Sequence, residues 1–203
     1  MRRHKPPTPL GGNALATRIW MFGIALGIVG ALVGAPALAR ERTFTAGPMV
    51  GARLFEDDLD LGSEISFGGR LGMNFDDRWG VVFDFLAAHP IRETTQREVV
   101  IDVLRALARA NILTGRARPY IVAGIGGGMF LFNDAPDSAH GIMTVGAGFE
   151  YRTASRILVT AEGSLDAFRA GEVVYAPTGQ GFEVEPVSTH TMGNVGLGVI
   201  VEF

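Results

Sequence analysis

Apolar and polar residues alternate along several stretches of the chain. Between positions 64 and 75 one parity is apolar or glycine, and the other is polar, charged or glycine. Similar alternation recurs at 143–152, at 157–166 and at 194–203, where Ile200 is an apolar exception. A period of two is the side-chain period of a β-strand, whereas a helix would scatter these residues around its axis. The pattern therefore predicts strands with one apolar and one polar face.

Turn signals divide the chain into eight such stretches. The predicted strands are 43–55, 63–75, 79–88, 98–110, 118–132, 139–152, 156–168 and 189–203. Tight connections fall at 74–78, 111–117 and 152–156. The connections at the opposite end are mostly longer, at 55–62, 88–97, 133–138 and 169–188. Eight antiparallel strands with short turns at one end and longer loops at the other are typical of a transmembrane β-barrel.

The contents of the polar parity favour a membrane barrel over a soluble, lipocalin-like one, which stays the alternative. A membrane barrel turns its apolar parity to lipid, and its narrow eight-stranded interior forces charged side chains to pair. We expect these residues to face inward: Glu64, Arg70, Glu150, Glu162 and Asn194. We expect these to face lipid: Ile65, Phe67, Leu71, Met73, Val145, Phe149, Val159 and Val199. Aromatic residues near strand ends fit interfacial girdles, namely Phe44, Phe75, Trp79, Tyr120, Phe132, Tyr151 and Phe203.

Segment 97–113 departs from the pattern. Val99, Val103 and Leu107 lie on one helical stripe, so an amphipathic helix is an alternative to a strand. As a strand with its apolar parity outward, the segment would turn Arg105 to lipid, which costs about 2–4 kcal/mol at the bilayer midplane. A bulge that reverses the register would avoid this cost. A strand keeps the strand number even, and we therefore predict one here.

The first 39 residues differ from the rest in charge. They sum to +4, whereas the remainder has 14 arginines, no lysine and 21 acids, a net of −7. A basic start leads into an uncharged apolar run over 19–36, and Ala37-Leu38-Ala39 follows. This layout predicts a cleavable signal peptide over 1–39 and a mature chain over 40–203; a retained membrane helix is the alternative. The acidic body argues against nucleic acid as a partner.

Candidate chemistry is sparse. Cysteine is absent, which excludes disulfides and thiolate chemistry. The glycine-rich run 124–128 lacks the acid and crossover helix of a dinucleotide site, so we interpret its glycines as lumen-facing. His89, His140 and His190 show no metal spacing, and we expect surface positions for them. The acidic runs 56–60 and 133–137 are predicted to be solvated loops, with a divalent cation bridging to lipopolysaccharide as the alternative. No catalytic, cofactor or metal residue is predicted.

The mature span resembles the small eight-stranded outer-membrane β-barrel family, of OmpA/OmpX type and often labelled porin-like. Three segments carry the resemblance: 118–128, 145–152 and the closing 196–203. The resemblance implies an all-β, eight-stranded antiparallel up-and-down transmembrane barrel, preceded by the signal peptide, in the outer membrane of a Gram-negative cell envelope. It also implies lipopolysaccharide as a partner, and recognition of Phe203 by the outer-membrane assembly machinery.

The resemblance leaves several activities open. We expect a non-enzymatic barrel with a structural or surface-interaction role. The first alternative is a narrow porin-like channel or conduit for small hydrophobic solutes, although Arg70 and nearby acids are expected to plug the lumen. The second is a lipid A-modifying hydrolase, for which Ser188 and His190 are the nearest match. The family's deacylase pattern resembles His-x-Ser, and this chain has Met192 at that third position.

Overall fold

The computed structural model describes residues 42–56, 59, 61–93, 96, 98–132, 137–170, 173–175, 182–184 and 188–203. The predicted signal peptide over 1–39 lies outside the described residues and stays a prediction. Across the part of the chain that is described, no helix is long and apolar enough to span a bilayer.

The described residues form an antiparallel meander that closes into a barrel. Its strands are β1 (Thr43–Phe55), β2 (Glu64–Asn74), β3 (Trp79–Ala88), β4 (Val99–Asn111), β5 (Ala117–Phe132), β6 (Ser138–Arg152), β7 (Ile157–Ala170) and β10 (Ser188–Glu202). Each strand pairs with the next, and β10 pairs with both β7 and β1, which closes the sheet. The predicted eight-stranded up-and-down barrel is confirmed, with strand ends within two residues of those predicted.

A small hairpin was not predicted. Strands β8 (Val173–Tyr175) and β9 (Phe182–Val184) pair with each other inside the connection from β7 to β10. This connection lies at the loop end of the barrel, opposite the tight turns that follow β2, β4 and β6. The longest loop therefore carries secondary structure of its own.

The two side-chain parities separate as predicted in β2, β6, β7 and β10. Seven of the eight residues expected to face lipid are exposed large apolar side chains. Met73 shares their parity but is only 5% exposed. Of the residues expected inside, Arg70, Glu150, Glu162 and Asn194 are buried, and Glu64 is half-buried at a strand end. An apolar exterior around a charged interior is the arrangement of a barrel in a lipid bilayer.

Strand β4 corrects one expectation. The segment is a strand, and its pairing with β5 is continuous from Val99 to Asn111 with no bulge. Arg105 nevertheless faces the lumen, because the whole parity that carries it also turns Val99, Ile101 and Leu107 inward. The assumption that the apolar parity of this strand faces lipid was wrong.

The inward apolar residues of β4 contribute to a plug at the loop end of the lumen. This plug consists of Leu61, Val99, Ile101, Val103, Phe130, Ile142, Phe168 and Met192, with Phe55 and Leu59 packed against it. Burying such a cluster is worth about 1.5–3 kcal/mol for each large side chain. The loop end of the lumen therefore holds a buried apolar cluster, which the sequence did not suggest.

The aromatic girdle is confirmed in part. Phe44, Phe75, Trp79, Tyr151 and Phe203 are exposed and gather at the turn end. Tyr120 was wrongly placed in the girdle, because it lies on the inward parity of β5 and is 1% exposed. The side chain of Phe132 lies outside the described part.

Candidate functional site

Asp84 is the centre of a charged network in the lumen. Arg70 donates to its carboxylate twice, from Nε to Oδ1 at 2.7 Å and from Nη2 to Oδ2 at 2.8 Å. Arg105 donates from Nη2 to Oδ2 at 2.9 Å. The three side chains come from the adjacent strands β2, β3 and β4, and all are buried. Paired, hydrogen-bonded geometry of this kind is what desolvated charges require.

The same two arginines reach across the lumen to β7. Arg70 Nη2 lies 2.8 Å from Glu162 Oε2. Arg105 Nη1 donates to Asp166 Oδ1 at 3.1 Å and to the Ser164 hydroxyl at 2.9 Å. Because β7 lies opposite β3 in the closed barrel, these contacts brace the wall from side to side.

A second layer lies on the turn side of this network and is built around Tyr120. The Tyr120 hydroxyl donates to Glu162 Oε2 at 2.9 Å, and the Arg109 guanidinium lies 4.1 Å from the Tyr120 ring centroid. Arg109 also donates to Glu150 at 2.8 Å. A Cβ on Gly148 would lie 2.3 Å from Tyr120 Cζ, so only glycine leaves room for this ring.

Arg53 is the least satisfied member of the interior. It is 0% exposed, and none of its three guanidinium nitrogens has a hydrogen-bond partner within the described residues. Among the described residues, four buried arginines lie on inward parities, and so do four buried carboxylates: Arg53, Arg70, Arg105 and Arg109, with Asp84, Glu150, Glu162 and Asp166. A fifth buried carboxylate, Asp102, lies on the opposite parity of β4. The described inward parities therefore carry equal numbers of buried arginines and carboxylates, although Arg53 has no hydrogen-bond partner among them.

Histidines and aromatic rings meet at the loop end. Phe130, His140, Phe168 and His190 form a chain of ring contacts, with centroids 5.5 to 5.7 Å apart. His140 lies between the Ser138 hydroxyl, at 3.1 Å, and the Arg169 carbonyl oxygen, at 3.0 Å. His140 and His190 are half-buried rather than simply at the surface. His89 is exposed, as expected, with Nδ1 2.7 Å from Glu98.

Ser188 and His190, the residues of the hydrolase alternative, lie close together. The Ser188 hydroxyl oxygen is 2.5 Å from His190 Nε2. Glu56 accepts hydrogen bonds from the hydroxyl and backbone amide of the neighbouring Thr191. These bonds hold the pKa of Glu56 below its ordinary value. A serine, a histidine and a carboxylate thus share one rim, but the carboxylate is engaged by Thr191.

The glycine-rich run and the acidic runs form no binding site within the described residues. Gly124, Gly126 and Gly128 lie on the inward parity of β5, as interpreted from the sequence. The interpretation was wrong for Gly127, which lies on the outward parity of Ile121 and Ile125. Among the described residues, no group of three His, Asp or Glu side chains could hold a metal ion. Asp57, Asp58 and Asp60, and the acidic run at 133–136, lie outside the described residues.

Sequence reasoning missed several members of the interior. Asp84 and Arg109 were not singled out, and neither was Arg53. A signal for Arg53 was present, because it follows Thr45, Gly47 and Gly51 on one parity of β1, on which Met49 is the apolar exception. The contacts of these residues across the lumen depend on strand stagger, which a period of two does not give.

Comparison with solved structures shows the same fold. Neisserial surface protein A is similar over 82% of this chain and 100% of its own, with 16% identity and a TM-score of 0.56. The N-terminal β-barrel domain of Pseudomonas aeruginosa OprF matches 81% of this chain and 98% of its own, with 16% identity and a TM-score of 0.53. The outer membrane protein OprG from Pseudomonas aeruginosa matches 80% and 95%, with 13% identity and a TM-score of 0.51. No protein-family model and no curated protein sequence matches the chain.

These similarities confirm the fold suggested by the sequence, that of the small eight-stranded outer-membrane barrels. The exposed apolar belt and the paired charges inside give an independent physical reason for a bilayer location. The chain accordingly has the fold of the outer-membrane β-barrels.

Proposed function

We propose that the protein is a non-enzymatic outer-membrane barrel with a closed lumen, which acts as a structural or surface-interaction protein. The observation that supports this most directly is the network of Arg70, Asp84, Arg105, Glu162 and Asp166, which joins opposite walls of the barrel. The working surface is then the loop end, where the longer connections face lipopolysaccharide and the surroundings of the cell.

The lumen is poorly suited to conduct solutes. An ion or small solute would have to pass between guanidinium and carboxylate groups that are already in contact, such as Arg105 Nη2 and Asp84 Oδ2 at 2.9 Å. It would then meet the apolar plug at the loop end. Breaking a buried ion pair costs about 3–5 kcal/mol, so a steady open path is disfavoured.

Single-channel recording in planar bilayers tests this proposal. The refolded barrel is expected to give no steady conductance above that of the bare bilayer. The double variant Arg105→Ala and Asp84→Ala removes two charged side chains that join the barrel walls. If these contacts block the lumen, this variant should show a conductance that the unaltered protein lacks. Steady conductance of the unaltered protein would instead establish the channel alternative.

The hydrolase alternative rests on one observation, the 2.5 Å approach of Ser188 to His190. The pair lies two residues apart on one strand, which brings the side chains together without any catalytic requirement. Lipid A from cells with and without the protein is expected to have identical masses. A lost acyl chain that reappears in the Ser188→Ala variant would replace our proposal with the enzyme.

A further inference from the structure

An arginine stands immediately before each strand that begins at the turn end. Arg42, Arg78, Arg116 and Arg156 precede β1, β3, β5 and β7 respectively. Arg42 adjoins residues outside the described part, so only the other three are compared below. Alternate strands lie about 10 Å apart around a barrel wall, so these arginines are spread along the rim.

Backbone hydrogen bonds hold the three arginines in the same way. In each case the arginine carbonyl oxygen accepts a hydrogen bond from the amide of the last residue of a neighbouring strand. The bonds run from Asn111 to Arg78 at 2.7 Å, from Arg152 to Arg116 at 2.8 Å and from Glu202 to Arg156 at 2.8 Å. Each bond continues an antiparallel ladder by one residue, and directly opposed residues share a face. Since their three partners lie on the inward parity, the arginines belong to the mouth of the barrel and not to its lipid belt.

Among the described residues at the mouth, unengaged guanidinium groups outnumber unengaged carboxylates. Asp76 accepts from the backbone amides of Arg78 and Trp79, which leaves Asp77 as an exposed acid in the turn before β3. Glu150 is engaged by Arg109 at 2.8 Å, and Glu202 by Arg152 at 2.6 Å. Arg116 stands opposite Arg152, and like charges in directly opposed positions destabilise a sheet. The side chains of Arg78, Arg116 and Arg156 are exposed and have no ion pair or side-chain hydrogen bond with any described residue.

We infer that this turn-end mouth, formed by Arg78, Arg116, Arg152 and Arg156, binds the carboxylates of peptidoglycan peptide stems. The planar guanidinium fork matches a carboxylate in a bidentate manner. The tight turns of outer-membrane barrels face the periplasm, where the cell wall presents many such carboxylates. Arg152 is already engaged by Glu202, so a carboxylate bound at this point would pair with Arg116 and offset its repulsion from Arg152. Several weak contacts to one polymer reinforce each other.

Co-sedimentation with purified peptidoglycan sacculi tests the inference. The mature protein in detergent should pellet with sacculi at low salt, and about 0.5 M salt should release it because exposed ion pairs are screened. One exposed pair changes affinity by up to about fivefold, so Arg116→Gln with Arg156→Gln should weaken binding by up to about 25-fold. Arg92→Gln with Arg169→Gln removes the same charge at the loop end and should bind like the unaltered protein.

Gel mobility with and without heating shows whether each variant has a folded barrel. Equal pelleting of both double variants would overturn the inference. So would failure to pellet with sacculi combined with binding to phosphatidylglycerol vesicles that depends on Arg116 and Arg156, because the ligand would then be a lipid phosphate. Neither outcome bears on the conductance test, since these arginines lie outside the plug and the Asp84 network.

Discussion

Replacement of Asp84 by asparagine is the sharpest test of the bracing network. Asp84→Asn keeps the shape of the side chain and removes its charge. The carboxylate now accepts three hydrogen bonds, at 2.7, 2.8 and 2.9 Å, from Arg70 and Arg105. An amide keeps one acceptor oxygen, but its NH2 group must face a guanidinium donor.

The cost follows from how many carboxylates remain. Removing one partner of a buried ion pair costs about 3–5 kcal/mol, because the remaining charge is left uncompensated. Arg70 keeps Glu162 at 2.8 Å, and Arg105 keeps Asp166 at 3.1 Å. We therefore expect a loss near the lower bound, about 3 kcal/mol of the free energy of unfolding. The exposed turn residue Asp77 is the matched control, and Asp77→Asn should change this free energy by less than about 0.5 kcal/mol.

Urea unfolding in lipid vesicles measures both variants. Trp79 is the only tryptophan of the predicted mature chain, and it is exposed at the lipid-facing turn end, so its fluorescence reports on the barrel. Gel mobility before and after heating gives a second readout. A free energy of unfolding for Asp84→Asn within 0.5 kcal/mol of the unaltered protein, or equal to that of Asp77→Asn, would refute the bracing argument.

Three further predictions concern export, assembly and packing. Amino-terminal sequencing of membrane-bound protein should show cleavage after Ala39, and a retained amino terminus would contradict it. Phe203 is 69% exposed, and deleting it should lower outer-membrane yield and leave protein in the periplasm. The free energy of unfolding of the refolded barrel should fall by at most about 1.5–3 kcal/mol. A normal yield would contradict a role of Phe203 in assembly. Gly148→Ala should lower the free energy of unfolding in urea by about 1–3 kcal/mol, because its Cβ would lie 2.3 Å from Tyr120 Cζ. Gly163→Ala is the control and should be near neutral, because no atom lies within 4 Å of its Cβ. Equal effects of the two substitutions would contradict the packing argument.

The strands could be predicted because alternation is a local property of the sequence. Ile65 and Arg70 lie on opposite parities, and any regular strand separates them. Which parity faces inward is not local. In β4 the parity of Val99 and Leu107 is apolar, yet it faces the lumen because it carries Arg105 and because the plug needs hydrocarbon.

The sequence could predict some of the charged residues that face the lumen, but not which of them pair. Arg70 and Glu162 were recognisable as inward charges, but 92 residues separate them in the sequence. Their contact at 2.8 Å depends on the stagger of strands around a closed barrel. Tyr120 shows the same limit, because an aromatic residue near a strand end suits both an interface and a lumen, and its hydroxyl partners Thr160 and Glu162 become apparent only in three dimensions.

Arg53 differs from the other lumenal arginines because it lacks a hydrogen-bond partner among the described residues. A guanidinium with 0% exposure and no hydrogen-bond partner among the described residues is costly, and most small domains would not tolerate it. A closed barrel satisfies its backbone donors and acceptors from strand to strand, so its wall does not depend on every interior contact. Under the proposed function the paired charges brace the barrel wall, and we expect variation that alters function at the two ends. At the loop end those residues surround the plug, and at the turn end they are the arginines that precede β3, β5 and β7.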